Sequence, residues 1–185
     1  TGSAIFNFKY DATPPALNIV GAASGDYSAC SIPSRPTFAP TDSLSGVASQ
    51  SDSWTPSSNP SGVGTYTYSA TATDKAGNTA SETRTYNVTY GAAFGGYLQP
   101  INTDGSSRFK LGSTVPVKFQ LFCGTTPIAN AVAKLYVAKG DSVPDPGVDE
   151  AISTAASTTG NLFRYDSTAQ QYIFNLSTKL GYTNP

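Results

Sequence analysis

The sequence predicts an all-β protein of two tandem β-sandwich domains, and three observations predict it. Residues 115–121 alternate strictly: Val115, Val117, Phe119 and Leu121 share one parity, while Pro116, Lys118 and Gln120 take the other. Residues 66–73 do the same, with Tyr66, Tyr68, Ala70 and Ala72 set against Thr67, Ser69, Thr71 and Thr73. A period of two marks a strand buried on one face, and no stretch of useful length carries the longer period of a helix. The chain has 185 residues, which suits one large domain or two of about 90 residues each.

In chain order, residues 1–10 read as a strand that precedes any domain. Ala4, Phe6, Phe8 and Tyr10 alternate with Ile5, Asn7 and Lys9, so one face is strongly aromatic. Pairing must stop at Asp11-Ala12-Thr13-Pro14-Pro15, because two prolines remove two amide donors and force an extended path. The aromatic strand then either folds onto its own domain or serves something else. Short strands are expected at residues 17–20, 36–39 and 47–51. The strongest signal follows: residues 66–73 run out, Asp74-Lys75-Ala76-Gly77-Asn78 turns, and Tyr86, Val88 and Tyr90 share a face on the return.

Residues 1–12 are thus a terminal strand and connector, residues 13–91 the first domain, and residues 92–96 a small-residue linker. In the second domain, residues 97–185, strands are expected at 97–100, 115–121, 131–137, 162–165 and 172–176. Pro116 lacks an amide hydrogen and belongs near the start of its strand or on an edge. Residues 139–158, which include Pro144, Pro146 and four acids, read as a long irregular loop.

Two resemblances sharpen this division. PVKF at Pro116 to Phe119, with LGST just before it, is followed by AVAKLYVAK at 131–139 and TGNLFRYDSTAQQYIFNLSTK at 159–179. These segments resemble the PxKF domain, a family of Ig-like modules in secreted and surface proteins of bacteria and archaea. The resemblance covers roughly the second half of the chain and implies a place in modular exported proteins, with no catalytic residues. It also implies that the second domain lacks its closing hairpin, since family members continue through two further strands. The sandwich would then keep an open apolar core, with each unpaired buried backbone group costing about 1–3 kcal/mol. Either the sequence is a fragment or something else completes the fold. GTYTYSATATDKAGNTA at 64–80, with TDSLSGVA at 41–48 and TPP at 13–15, resembles bacterial Ig-like and hyalin-type repeats. That implies an Ig-like sandwich for the first domain.

Composition narrows the function. Charged residues make up 12% of the chain, the formal net charge is -1, and no Lys/Arg cluster offers a nucleic-acid interface. No apolar run approaches the ~18 residues of a membrane span. The sequence opens on Thr with no signal-peptide pattern, as a mature chain or a piece of one would. Abundant Thr, Ser, Gly and Tyr, with no Met or His, fit an extracellular or cell-surface protein. Without His there is no Ser-His-Asp or Cys-His activation, and two Cys alone make no ordinary structural zinc site. Glu82 and Glu150 sit in no glycosidase motif and are more simply surface charges. No enzyme is expected.

Three constellations remain. Asp11, Asp42 and Asp74 fall at the entry to the first strand, in a loop between strands and in the last hairpin turn. In an Ig-like topology these lie at one end, where three carboxylates with Asn78 nearby would hold Ca²⁺ through hard oxygen ligands. The alternative is that each Asp caps its own turn. Cys30 and Cys123 fall in different domains. They either form a bond that staples the domains or joins subunits, or remain two thiols. Lys118 reads as a snorkelling surface lysine rather than an isopeptide donor, and Asn87 and Asn175 open glycosylation sequons on strands.

The expected function is an extracellular structural protein, a subunit or repeat of a cell-surface fibre or layer. Its head-to-tail assembly would place Phe6, Phe8 and Tyr10 of one subunit beside Val117, Phe119 and Phe174 of the next. The alternative is a spacer or accessory module of a larger secreted enzyme or adhesin, whose tyrosines permit stacking on polysaccharide. No cofactor is expected apart from calcium.

Overall fold

The strongest alternations in the sequence become the longest strands of the molecule. A computed structural model describes residues 5, 8–137, 149–155 and 159–179. The protein is all-β and of sandwich type, with several sheets and no α-helix among the described residues. It divides into two units. The first comprises Thr1–Tyr27, Ser31–Ser58 and Gly64–Thr89; the second comprises Ser28–Cys30, Asn59–Val63 and Tyr90–Pro185. The second unit runs continuously from Tyr90, and two short segments of the first half belong with it.

The first unit contains β1 (Ile19–Val20), β2 (Gly25–Ser28), β3 (Thr37–Phe38), β4 (Val47–Thr55), β5 (Gly64–Asp74) and β6 (Thr79–Thr89). Four of these make one antiparallel sheet in the order β2-β6-β5-β4, while β1 pairs with β3. Beside that pair, Gly21 runs so close to Pro36 that an added Cβ would stand 3.0 Å from the Pro36 Cα. The hairpin carries the unit. Tyr66 pairs with Tyr86 across it, and their rings stack 5.0 Å apart. Tyr68, Ala70, Ala72 and Val88 are buried on the same side. The opposite face is a ladder of hydroxyls, with Ser69–Thr83 at 2.9 Å, Thr71–Ser81 at 3.0 Å and Thr73–Thr79 at 2.9 Å. β2 escaped sequence reading because Gly-Asp-Tyr-Ser has no apolar alternation; it is held by pairing with β6 and by the edge-on contact of Tyr27 with Tyr86.

The second unit begins with a 3-10 turn (Gly91–Ala93) and continues with β7 (Phe94–Leu98), β8 (Thr114–Cys123), β9 (Thr126–Pro127), β10 (Tyr136–Val137), β11 (Asp149–Glu150), β12 (Arg164–Asp166) and β13 (Gln171–Ser177). Its main sheet runs β12-β13-β8-β7, with β9 on the end of β8, and β10 pairs with β11. β8 keeps the predicted alternation: Val115, Val117, Phe119 and Leu121 are buried. Pro116 pairs opposite Asn175 and lies beyond Lys118, where the β7 pairing ends.

Three expectations change here. Residues 94–96 are not linker but the start of β7. The strand expected over 131–137 shrinks to β10 and an isolated bridge from Lys134 to Leu162. The expected loop contains β11 in its described part. These changes also give the apolar face of β8 and β13 cover within its own chain. Phe174 and Val117 are buried with Ala151, and Ile101, Leu135, Val137 and Phe163 pack on them. Phe119 is buried with Leu121 and Tyr172. The stretch after β11 supplies backbone as well: Ser177 N donates to Ile152 O at 2.8 Å, and Thr154 N to Asn175 O at 2.9 Å. Residues 151–154, within the segment expected to be irregular, are therefore part of what covers β8 and β13.

Candidate functional site

The structure brings Asp11, Asp42 and Asp74 together. One carboxylate oxygen from each lies within 4.8 Å of the others. Asp11 precedes β1, Asp42 sits between β3 and β4, and Asp74 closes β5. Each is fixed by backbone amides, because each opens a turn whose amides are otherwise unpaired. Asp42 Oδ1 accepts from the amides of Ser45 (2.8 Å), Gly46 (2.7 Å) and Leu44 (3.2 Å). Asp11 accepts from Thr13 N at 2.9 Å and Ser45 N at 3.1 Å. Asp74, only 2% exposed, accepts from Asn78 N and Asn78 Nδ2, both at 2.8 Å. Asn78 Nδ2 also donates to Asp11 O at 3.2 Å, so one carboxamide ties two of the three segments.

Burial works to raise the Asp74 pKa. The hydrogen bonds from the Asn78 side chain and from the amides of Asn78, Ala76 and Gly77 outweigh it and hold the group below its ordinary value. Lys9 and Lys75 line the same hollow as Asp11 and Ser45. Hard oxygen ligands and a partly buried setting suit Ca²⁺. The same geometry also satisfies the turn-capping alternative.

The other candidates fall elsewhere. Cys30 and Cys123 are joined in a disulfide with Cα atoms 5.2 Å apart, so the bond lies within one chain and does not join subunits. Cys30 belongs with the second unit, as does the Asn59–Val63 segment, where Ser61 Oγ and Tyr90 Oη are 2.6 Å apart and Asn130 Nδ2 donates to Pro60 O at 2.7 Å. Glu82 lies in the first unit, paired with Arg84 at 2.6 Å. Glu150 is exposed on β11 of the second unit. Lys118 is half-buried on β8, opposite Ile173 and Leu98. Asn87 is exposed on β6, and its carboxamide already accepts from Thr65 Oγ1 at 2.8 Å; Asn175 is half-buried on β13.

Of the assembly strand, Phe6 lies outside the described residues. Ile5 and residues 8–10 adopt no strand, since a lone segment has no neighbour to pair with. Ile5 is 86% exposed, Phe8 86% and Tyr10 80%. Of the acceptor residues, Val117 and Phe174 are buried by their own chain, while Phe119 is buried but also lines a groove beside β7. Sequence reasoning, which expected a strand at residues 97–100, missed the start of β7 at Phe94. Phe94 and Tyr97 are three residues apart, and the extra glycine between them breaks the parity that would have revealed the strand. No family model, no curated protein and no solved structure matches the chain.

Proposed function

We propose that this chain is an extracellular structural protein, a subunit or repeat of a cell-surface fibre or layer, which joins its neighbours through its N-terminal segment. One observation carries the reading. Ile5, Phe8 and Tyr10 are almost fully exposed although the unit that follows has its own aromatic core. Large apolar side chains so displayed favour burial against a partner, and each buried aromatic ring contributes roughly 2–3 kcal/mol. The adjacent Asp11 is tied to Thr13, Ser45 and Asn78, so the segment leaves the first unit from a fixed point. Calcium on Asp11, Asp42 and Asp74 would stiffen that point further. The disulfide and the PxKF-like and repeat-like segments support an oxidising, exported setting.

The test compares the full chain with one lacking residues 1–10, by negative-stain microscopy and light scattering. The full chain is expected to polymerise, and the shortened chain to stay monomeric with an unchanged melting temperature. Filaments that persist without the segment would refute the proposal.

A further inference from the structure

Every sheet edge exposes a row of unpaired backbone groups, which proteins blunt with charge, proline, bulges or brevity. Among the described residues, the two larger sheets end on β2, β4, β12 and β7. β2 carries Asp26, β4 carries Asp52, and β12 carries Arg164 and Asp166. β7, Phe94-Gly95-Gly96-Tyr97-Leu98, carries neither charge nor proline. Among the described residues its protection is a bulge, where the register slips between Phe94 and Tyr97. Gly95 leaves the strand bare there, since a Cβ built on it would meet nothing within 4 Å.

Beside this edge lies a groove of about 450 Å³ lined by Tyr90, Phe94, Tyr97, Phe119, Lys134 and Phe163. Phe94 and Tyr97 are each 42% exposed, and the Phe94 ring meets those of Tyr97 and Phe119 edge-on, both at 5.7 Å. Clefts that hold ligands run from ~300 to ~1,000 Å³, so the groove has room for aromatic side chains. An unpaired edge beside an apolar groove suits an extended apolar segment: its backbone takes the edge and alternate side chains enter the groove.

We infer that β7 and this groove receive the N-terminal segment of a second copy, with Phe8 and Tyr10 in the groove. The inference rests on the strand-donation reading above and supplies its acceptor. The occupant is argued from the chain itself. Phe8 and Tyr10 share a parity and fall on one side of an added strand, while Lys9 faces away. The stretch from Ile5 to Tyr10 is long enough to span the five residues of β7. Lys134 at the groove offers an ammonium to the face of an incoming ring. Donor and acceptor surfaces differ, so the contact is heterologous and propagates instead of closing a dimer.

Two full-length variants, Phe8→Cys and Tyr97→Cys, mixed under mild oxidation, are expected to form a covalent pair containing one of each. Phe8→Cys mixed with Ser51→Cys, on the charged β4 edge, is expected to give none. In parallel, Tyr97→Asp should weaken assembly about a hundredfold, the effect of losing one buried anchor, with an unchanged melting temperature. If chains whose polymer depends on residues 1–10 give no Phe8–Tyr97 cross-link, the acceptor is wrong and strand donation stands. If a chain carrying both substitutions closes on itself at high dilution, the second copy is wrong. A polymer indifferent to loss of residues 1–10 overturns both readings.

Discussion

Buried tyrosines do different work in the two units. In the second, Tyr172 Oη donates to Ile128 O at 2.7 Å and accepts from Ala131 N at 2.8 Å. That hydroxyl pins residues 128–131 against the sheet. In the first, Tyr68 and Tyr86 are fully buried, yet neither Oη has a hydrogen-bond partner. Burial raises the pKa of all three phenols. The Asp52 carboxylate raises Tyr68 further, without the geometry that would satisfy its oxygen. The contrast follows from connectivity. β5 and β6 are eleven-residue strands joined by a tight turn, so the hairpin sets its own register and its rings only need to fill space. β8 and β13 are far apart in sequence, and the chain between them is fastened by specific polar contacts, while the cystine ties the end of β8 to Cys30.

The largest effect expected from this contrast is at Phe174. Phe174→Ala should cost the second unit about 3–5 kcal/mol while the β5–β6 amides keep their hydrogen-exchange protection. Loss of protection in both units together would break the comparison. Next comes the cystine. Cys30→Ser combined with Cys123→Ser should cost about 2–4 kcal/mol, again in the second unit, as read from denaturant unfolding. Equal loss across both units would contradict it.

The tyrosines themselves provide a sharper and smaller test, with opposite signs. Tyr172→Phe leaves the Ala131 amide and the Ile128 carbonyl unpaired and should cost about 1–3 kcal/mol. Tyr86→Phe removes a buried hydroxyl that has no partner, and should be neutral or stabilising by about 1 kcal/mol. Two losses of equal size would show that Tyr86 Oη is satisfied in solution.

The smallest effect concerns Asp74. Its folded pKa is depressed, so its stabilisation is complete above the unfolded carboxyl range and is lost as pH falls through the folded value. Asp74→Asn should therefore flatten the acid-side loss of melting temperature in the first unit. If the aspartates hold calcium, added Ca²⁺ should raise that melting temperature, EDTA should reverse it, and Asp74→Asn should abolish the response. A melting curve indifferent to both additions leaves three turn caps.

Sequence by itself determined whatever is local. The parities of β5, β6, β8 and β13 follow from a period of two, which any covering layer would have to respect. The aspartate site was legible for a related reason. Each Asp marks a turn, and its carboxylate is held by amides within four residues, with Asp11 also accepting from the more distant Ser45 N. Tertiary structure alone decided the rest. β2 exists because β6 offers it an edge, and β11 because β10 does. The start of β7 was hidden by a bulge that shifts the period by one residue. The closure of the second core depended on residues 151–154 reaching β13, and the cystine on two segments 93 residues apart. Pairing across such distances is set by which edges and faces remain uncovered once the local strands have formed, and no window of sequence contains that information.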